Sequence, residues 1–122
     1  MGFEVQTNPE KNRIIVTLTG FATLDDVKRL EQELLRADDL LPKFRGAHQL
    51  LYDISGATIQ SQEVVDALRD LATHSPAKSA FALINTSALA ARQLDRIFLG
   101  IDLHRSRDRH EAETWLDRQA GN

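Results

Sequence analysis

Two polar residues, Asp53 and Ser55, lie at the end of an apolar run at residues 49–54 and are the first place where the sequence could support chemistry. A serine acts as a nucleophile when a histidine lies within hydrogen-bond reach. His48 precedes the same run, so a strand here puts it at the opposite end from Ser55, and no Gly-x-Ser-x-Gly turn is present. Asp53 is better explained as an acceptor of hydrogen bonds from the turn that follows. We therefore expect no catalytic residue and no enzyme.

A second cluster, at residues 102–111, contains two histidines and three arginines together with acids. His110 and Glu111 lack the second histidine, four residues after the first, that a zinc-binding helix of this type needs. A charged edge strand that holds His104, followed by a helix capped at Asp108, explains the pattern better than a metal site. We expect no metal ligand and no cofactor, while the arginines leave anion binding open.

Length and composition limit the number of domains and the kinds of partner that this chain can have. The chain has 122 residues, no cysteine, and 15 Lys+Arg against 18 Asp+Glu, for a net charge of −3. This length predicts one domain over residues 1–122. The charge argues against nucleic acid as a partner, no apolar run is long enough to span a membrane, and the first residues carry no secretory signal. We therefore expect a cytoplasmic protein.

Hydrophobic periodicity predicts the element order β-β-α-β-α-β-α-β-α. The strands are expected at residues 3–6, 13–19, 49–54, 79–85 and 102–107. The helices are expected to begin at Thr23, Ser61, Thr86–Ser87 and Asp108, with the second ending at Ser75–Pro76 and the third before Gly100. Strands separated by helices require a mostly parallel sheet, and a hairpin makes the first strand antiparallel. The predicted fold class is an α/β sandwich with a mixed sheet of four or five strands and about four helices.

Two sets of apolar residues should bury this sheet. The first helix has a stripe on one side formed by Leu24, Val27, Leu30, Leu34 and Leu35. The expected core consists of Val16, Leu51, Ile54, Leu68, Phe81, Leu83 and Leu94.

Three short motifs carry a resemblance to a known family. They are the central strand at residues 50–56, the strand end at residues 17–21 with its glycine, and the sequence Ala-Glu-Thr-Trp-Leu at residues 112–116. Together with the element order, they make the chain resemble the STAS superfamily, and more narrowly its SpoIIAA-like branch of small stand-alone bacterial proteins. The resemblance covers nearly the whole chain and implies a STAS-type fold and a binding or regulatory role.

One departure from this family concerns its phosphorylation switch. Anti-sigma-factor antagonists of the superfamily carry an Asp-Ser-Ser-Gly-like motif at the start of the second helix, where a partner kinase phosphorylates the serine next to the glycine. Here that position reads Ser61-Gln62-Glu63-Val64, which puts Glu63 near the phosphoserine position. A carboxylate cannot be switched by a kinase, and Ser61 is explained by helix capping. We expect no phosphoserine switch.

Two functions follow from the sequence as alternatives. The first is a protein-interaction module with a protein partner, whose contact surface includes Asp53, Ser55, Ile59, Ser61 and Glu63. The second is a domain that binds or senses a small apolar ligand or an anion, similar to lipid-transfer domains. A chain of about 120 residues leaves little room for both a core and a lipid-sized cavity, which favours the first function. Homodimer formation stays open.

Overall fold

The structure is a computed structural model that describes residues 2–42, 46–74, 78–85 and 88–120, apart from the side chains of residues 88–90. Within these ranges the chain forms five strands and four helices. In chain order they are β1 (Gly2–Asn8), β2 (Arg13–Gly20), α1 (Leu24–Leu40), β3 (Gln49–Ala57), α2 (Gln62–His74), β4 (Ala80–Ile84), α3 (Ala88–Ile97), β5 (His104–Ser106) and α4 (Arg109–Ala120). The expected end of the second helix at Ser75–Pro76 and the expected start of the third helix at Thr86–Ser87 lie outside the described residues.

The strands form one sheet in the order β1-β2-β3-β4-β5. β1 pairs with β2 in antiparallel orientation, and the remaining neighbours are parallel. This confirms the predicted α/β fold with a mixed sheet. The parallel strands therefore all end at the same edge of the sheet, where the loops after β2 and β3 meet.

Alternation along the strands divides the core into two layers. Ile14, Val16, Leu50, Tyr52, Phe81 and Leu83 belong to the layer covered by α1, α2 and α3. Ile15, Leu51, Ala82 and Ile84 face the other way and pack against Ala112 and Leu116 of α4. All seven predicted core residues are buried. No helix in the described ranges is long and apolar enough to cross a membrane.

The predicted apolar stripe of α1 is wrong for two of its five residues. The buried arc of the helix consists of Val27, Leu30, Leu34 and Ala37. At 100° per residue, Leu24 and Leu35 lie roughly 60° and 80° beyond the edge of this arc. Leu24 is 42% exposed and Leu35 is 52% exposed. Leu24 lies in the first turn of α1, close to the carboxyl edge of the sheet where the candidate site described below is found.

The last helix is fixed to the sheet by a buried arginine. Arg13 at the start of β2 is fully buried. Its Nη2 donates to Asp117 at 2.8 Å and to the side-chain oxygen of Gln49 at 2.8 Å. The Gln49 amide donates in turn to the carbonyl of Leu116 at 2.6 Å. Because the charge of Arg13 is compensated from α4, this helix is part of the folded unit and not an exposed tail.

Candidate functional site

The loops after β2 and β3 lie side by side at the carboxyl edge of the sheet. Gly20 pairs with Ala57, and the Thr58 amide donates to the Gly20 carbonyl at 3.3 Å. Gly20 has a φ of 66°, the left-handed conformation that glycine adopts without strain. The chain therefore turns sharply at the end of β2 and brings residue 21 beside residues 58–60.

Three large apolar side chains are exposed around this edge. Phe21 is 58% exposed, Ile59 is 47% exposed, and Leu24 in the first turn of α1 is 42% exposed. Single exposed apolar residues need no explanation, but a group on neighbouring segments is typical of an interaction site. We name the surface formed by Phe21, Leu24, Ile59, Ser61 and Glu63 the Ile59 surface.

A buried glutamine fixes the backbone beneath the Ile59 surface. The side-chain oxygen of Gln60 accepts a hydrogen bond from the Ala22 amide at 2.8 Å. Its side-chain nitrogen donates to the carbonyls of Gly20 at 3.0 Å and Thr58 at 2.6 Å. The side chain of Gln60 thus joins the two loops that carry Phe21 and Ile59.

The residues that follow begin α2. The Val64 amide donates to the Ser61 hydroxyl at 3.3 Å, and the Val65 amide donates to the Ser61 carbonyl at 2.9 Å. Ser61 therefore caps the helix, as predicted. Glu63 is exposed in the first helical turn, where the helix dipole favours negative charge.

α1 begins beside the same surface with a complete capping box. The Asp26 amide donates to the Thr23 hydroxyl at 3.1 Å, and the Thr23 amide donates to the Asp26 carboxylate at 2.9 Å. The bond from the Thr23 amide is the main reason that the pKa of Asp26 lies below its ordinary value. This box fixes the first turn that carries Leu24.

Asp53 and Ser55 interact with each other within the second half of β3. The Asp53 carboxylate accepts from the Ser55 hydroxyl at 2.6 Å and from the Ser55 amide at 3.1 Å. The pairing of β3 with β2 shifts at this point, between Thr17 and Thr19. The prediction that Asp53 accepts hydrogen bonds from the residues after it is confirmed, but the expected turn is wrong, because β3 continues to Ala57.

No histidine accompanies Ser55. His48 lies seven residues earlier, which is roughly 23 Å along an extended strand. Its Nδ1 lies 3.1 Å from the carboxylate of Asp38 at the other end of the sheet. The structure therefore does not place His48 within hydrogen-bond reach of Ser55.

The charged segment at residues 102–111 forms an edge strand and a capped helix, as expected. The Glu111 amide donates to Asp108 at 2.8 Å, which confirms the cap. The three arginines of the segment, Arg105, Arg107 and Arg109, pair with Asp95, Glu111 and Glu113 in that order. Across the described part of the chain, no group of three or more His, Asp or Glu side chains could hold a metal ion.

An apolar cavity lies between the sheet and helices α2 and α3. It has a volume of about 40 Å³ and is lined by Tyr52, Leu68, Leu94 and Phe98 among others. This is room for roughly three water molecules, because one water needs about 10 to 15 Å³. Burial raises the pKa of Tyr52 above its ordinary value, so its hydroxyl stays neutral. A lipid-sized ligand does not fit this cavity.

Comparison with known proteins gives structural relatives only. No protein-family model matches the chain, and no curated protein does. One similar structure is an uncharacterized protein of the DUF3478 family with a SpoIIAA-like fold from Shewanella loihica PV-4. Its TM-score is 0.67 at 18% identity, over 94% of this chain and 92% of that one.

Two further similar structures are described as anti-sigma factor antagonists. The protein from Mycobacterium paratuberculosis has a TM-score of 0.61 at 16% identity, over 94% of this chain and 92% of that one. SpoIIAA in its unphosphorylated form has a TM-score of 0.58 at 15% identity, over 99% of this chain and 100% of that one. The chain therefore has a STAS-type, SpoIIAA-like fold, which confirms the resemblance read from its sequence.

The sequence predicts Ile59, Ser61 and Glu63 as parts of an interaction surface, and the structure adds three residues to this candidate site. Phe21 was seen only as part of a strand end, and Leu24 was expected to be buried. Gln60 gave no signal because its side-chain partners at Ala22 and Gly20 lie 38 and 40 residues away. Only the contact between the two loops reveals its role.

Proposed function

We propose that this protein is a non-enzymatic interaction module that regulates a protein partner through the Ile59 surface. The observation that carries the proposal is the group of exposed apolar side chains, Phe21, Leu24 and Ile59, on a backbone fixed by Gln60. A rigid apolar patch loses little conformational entropy on binding, which favours association. The anti-sigma factor antagonists among the similar structures support a regulatory partner of this kind.

The charge at this surface indicates what the partner presents. Glu63 is exposed and has no ion-pair partner among the described residues. Asp53, half-buried, lies in the middle of β3 on the same side as Leu51, which packs against α4, so it does not add to the charge of this surface. An exposed carboxylate next to an apolar patch is complementary to a partner with Arg or Lys beside an apolar side chain.

We further propose that this contact is constitutive and works without a phosphoserine switch. The Ser61 hydroxyl accepts the Val64 amide, so its structural role is already accounted for by capping. Glu63 supplies a permanent negative charge in the same helical turn. The contact should therefore depend on the abundance of the partner and not on a kinase.

Site-specific photocrosslinking tests the location of the contact. A benzophenone side chain replaces Ile59 in one variant and Phe21 in another, and the matched controls carry it at Leu40 and Leu99, which are 66% and 67% exposed. After irradiation in host cells, we expect positions 59 and 21 to capture the same protein and the two control positions not to capture it. Equal capture at all four positions, or none at position 59, would contradict the proposal.

A further inference from the structure

A second candidate site lies at the amino end of β4, away from the Ile59 surface. β5 pairs with β4 only from Ala82 onward, so no strand covers the outer edge of Ala80 and Phe81. The gap is a pocket of about 350 Å³. Its lining includes Lys78, Asp102, Leu103, His104, Trp115 and Gln119. We name it the Trp115 pocket, and its volume lies within the range of small-molecule sites.

Four polar side chains of the Trp115 pocket are without a hydrogen-bond or ion-pair partner in the part of the chain that the structure describes. Among the described residues, Lys78, Asp102, His104 and Gln119 make no side-chain hydrogen bond or ion pair. The three arginines that follow His104, namely Arg105, Arg107 and Arg109, are each paired with an acid. Unpaired polar groups that converge on one pocket are what a ligand with complementary groups would satisfy.

Lys78 is the cation of this pocket. Its side chain is partly buried, and its Nζ lies 5.5 Å from the centre of the Phe81 ring. Burial lowers the pKa of Lys78 because the ammonium group loses hydration. A partly dehydrated ammonium group without a counter-ion is unfavourable, so a bound anion would compensate the cost of its burial.

Two stacked rings give the Trp115 pocket a flat aromatic lining. The imidazole of His104 and the indole of Trp115 are parallel within 7°, with ring centres 4.5 Å apart. Leu103 adds apolar surface beside them. Such a lining suits a planar or compact apolar ligand body.

The charges limit the ligand to a single negative charge. Among the residues that the structure describes, Lys78 is the one lysine or arginine that lines the pocket, and Asp102 lies in the same lining. A dianion such as phosphate would be repelled by Asp102 without a second fixed cation to hold it. A carboxylate needs only Lys78, with Gln119 and His104 as additional hydrogen-bond donors.

We propose that the Trp115 pocket binds a small organic monocarboxylate with a compact apolar body. Its carboxylate pairs with Lys78, and its apolar body packs against the stacked rings of His104 and Trp115. This site is separate from the Ile59 surface and does not rest on the function proposed above. It would make the protein responsive to a small metabolite acid as well as to a protein partner.

Intrinsic fluorescence tests the proposal directly, because Trp115 is the only tryptophan of the chain. Benzoate is titrated into the wild-type protein, with benzamide as the neutral probe of equal shape and inorganic phosphate as the dianion. We expect a saturable change with benzoate, and binding at least about tenfold weaker for benzamide and phosphate, since the pairing with a charged group is lost or opposed.

Three variants assign the binding to Lys78. Lys78→Met should weaken benzoate binding by about tenfold or more, and Lys78→Arg should restore it to within about threefold. Lys28→Met, on α1, is the matched control and should leave binding unchanged. The proposal is overturned by the absence of saturation with benzoate, by equal binding of benzamide or phosphate, or by unchanged binding in a folded Lys78→Met protein. Should Lys78→Met fail to fold, the comparison of benzoate with benzamide on the wild type decides.

Discussion

Gln60 and Gln93 hold each other through a reciprocal pair of hydrogen bonds. The Gln60 main-chain amide donates to the side-chain oxygen of Gln93 at 2.9 Å. The side-chain nitrogen of Gln93 donates back to the Gln60 carbonyl at 2.8 Å. α3 is therefore hydrogen-bonded to the loop before α2 through Gln93, and the side chain of Gln60 joins that loop to the loop after β2. The position of Ile59 depends on all three segments.

Removal of the Gln60 side chain should destabilise the protein. Gln60→Ala leaves the buried Ala22 amide without its acceptor, and an unsatisfied buried group costs about 1 to 3 kcal/mol. Urea unfolding followed by circular dichroism measures the loss. The control is Gln62→Ala, an exposed residue whose loss should change the free energy of unfolding by no more than about 0.5 kcal/mol. Equal stability of the two variants would show that Gln60 does not hold the loops together.

Loss of the Ser61 hydroxyl should act mainly on stability. Ser61→Ala removes the cap of α2, and we expect a loss of about 0.5 to 2 kcal/mol in the free energy of unfolding. Ser79→Ala, which removes an exposed hydroxyl that caps no helix, is the control. Mass spectrometry of protein purified from host cells should find no phosphate on Ser61. Stoichiometric phosphate there would refute the constitutive contact.

The ion pair between Arg13 and Asp117 should make stability depend on pH. Hydrogen bonds from Arg13 and Lys11 lower the pKa of Asp117 below its ordinary value of 3.8. A lowered pKa means that these bonds stabilise the fold above pH 3.8 and are lost as the pH falls below it. Asp117→Asn should therefore cost about 1 kcal/mol at pH 7, a small value because the carboxylate is half exposed.

The pH dependence of the Asp117→Asn effect tests whether the ion pair is its cause. The difference in free energy of unfolding between wild type and Asp117→Asn should shrink as the pH falls below 3.8, because the carboxyl group of the unfolded chain then takes up a proton before that of the folded protein. Asp66→Asn, which alters the exposed pair with Arg96, is the control and should have little effect at either pH. A difference that stays constant with pH would rule out this origin of the stability.

Leu51 should be the most sensitive test of the layer beneath α4. It is fully buried between the sheet and α4, and Leu51→Ala should cost about 2 to 5 kcal/mol. Leu40→Ala, at a position 66% exposed, is the matched control and should cost less than about 0.5 kcal/mol. Chemical unfolding of both variants measures these values. Similar small losses in both would show that α4 does not pack on this face in solution.

Local patterns were sufficient to predict the fold. Alternation placed Val16 and Leu83 in the core, and the caps at Thr23 and Ser61 follow from bonds to residues only three positions away. Such signals are visible in the sequence because the partner lies within the same short segment. The SpoIIAA-like arrangement followed from the order of these elements.

The rest of the site depends on contacts between distant segments. Gln60 reaches Gly20, and Arg13 reaches Asp117 across 104 residues, so neither has a local pattern. The stack of His104 on Trp115 likewise exists only because β5 and α4 lie side by side. Leu24 was misplaced because its apolar character was taken as burial, whereas the helix turns it toward solvent.

The central claim is that the Ile59 surface binds a protein partner, and quantitative affinity purification from host lysate tests it most directly. The baits are wild type, Ile59→Asp and Glu63→Lys, with Leu40→Asp and Glu33→Lys as controls of equal chemistry at other exposed or half-exposed positions. Thermal unfolding first establishes that all five baits are folded. We expect one partner that is retained by wild type and both controls, lost with Ile59→Asp and Glu63→Lys, and bound less as salt rises. Identical partner sets for all five baits would contradict it.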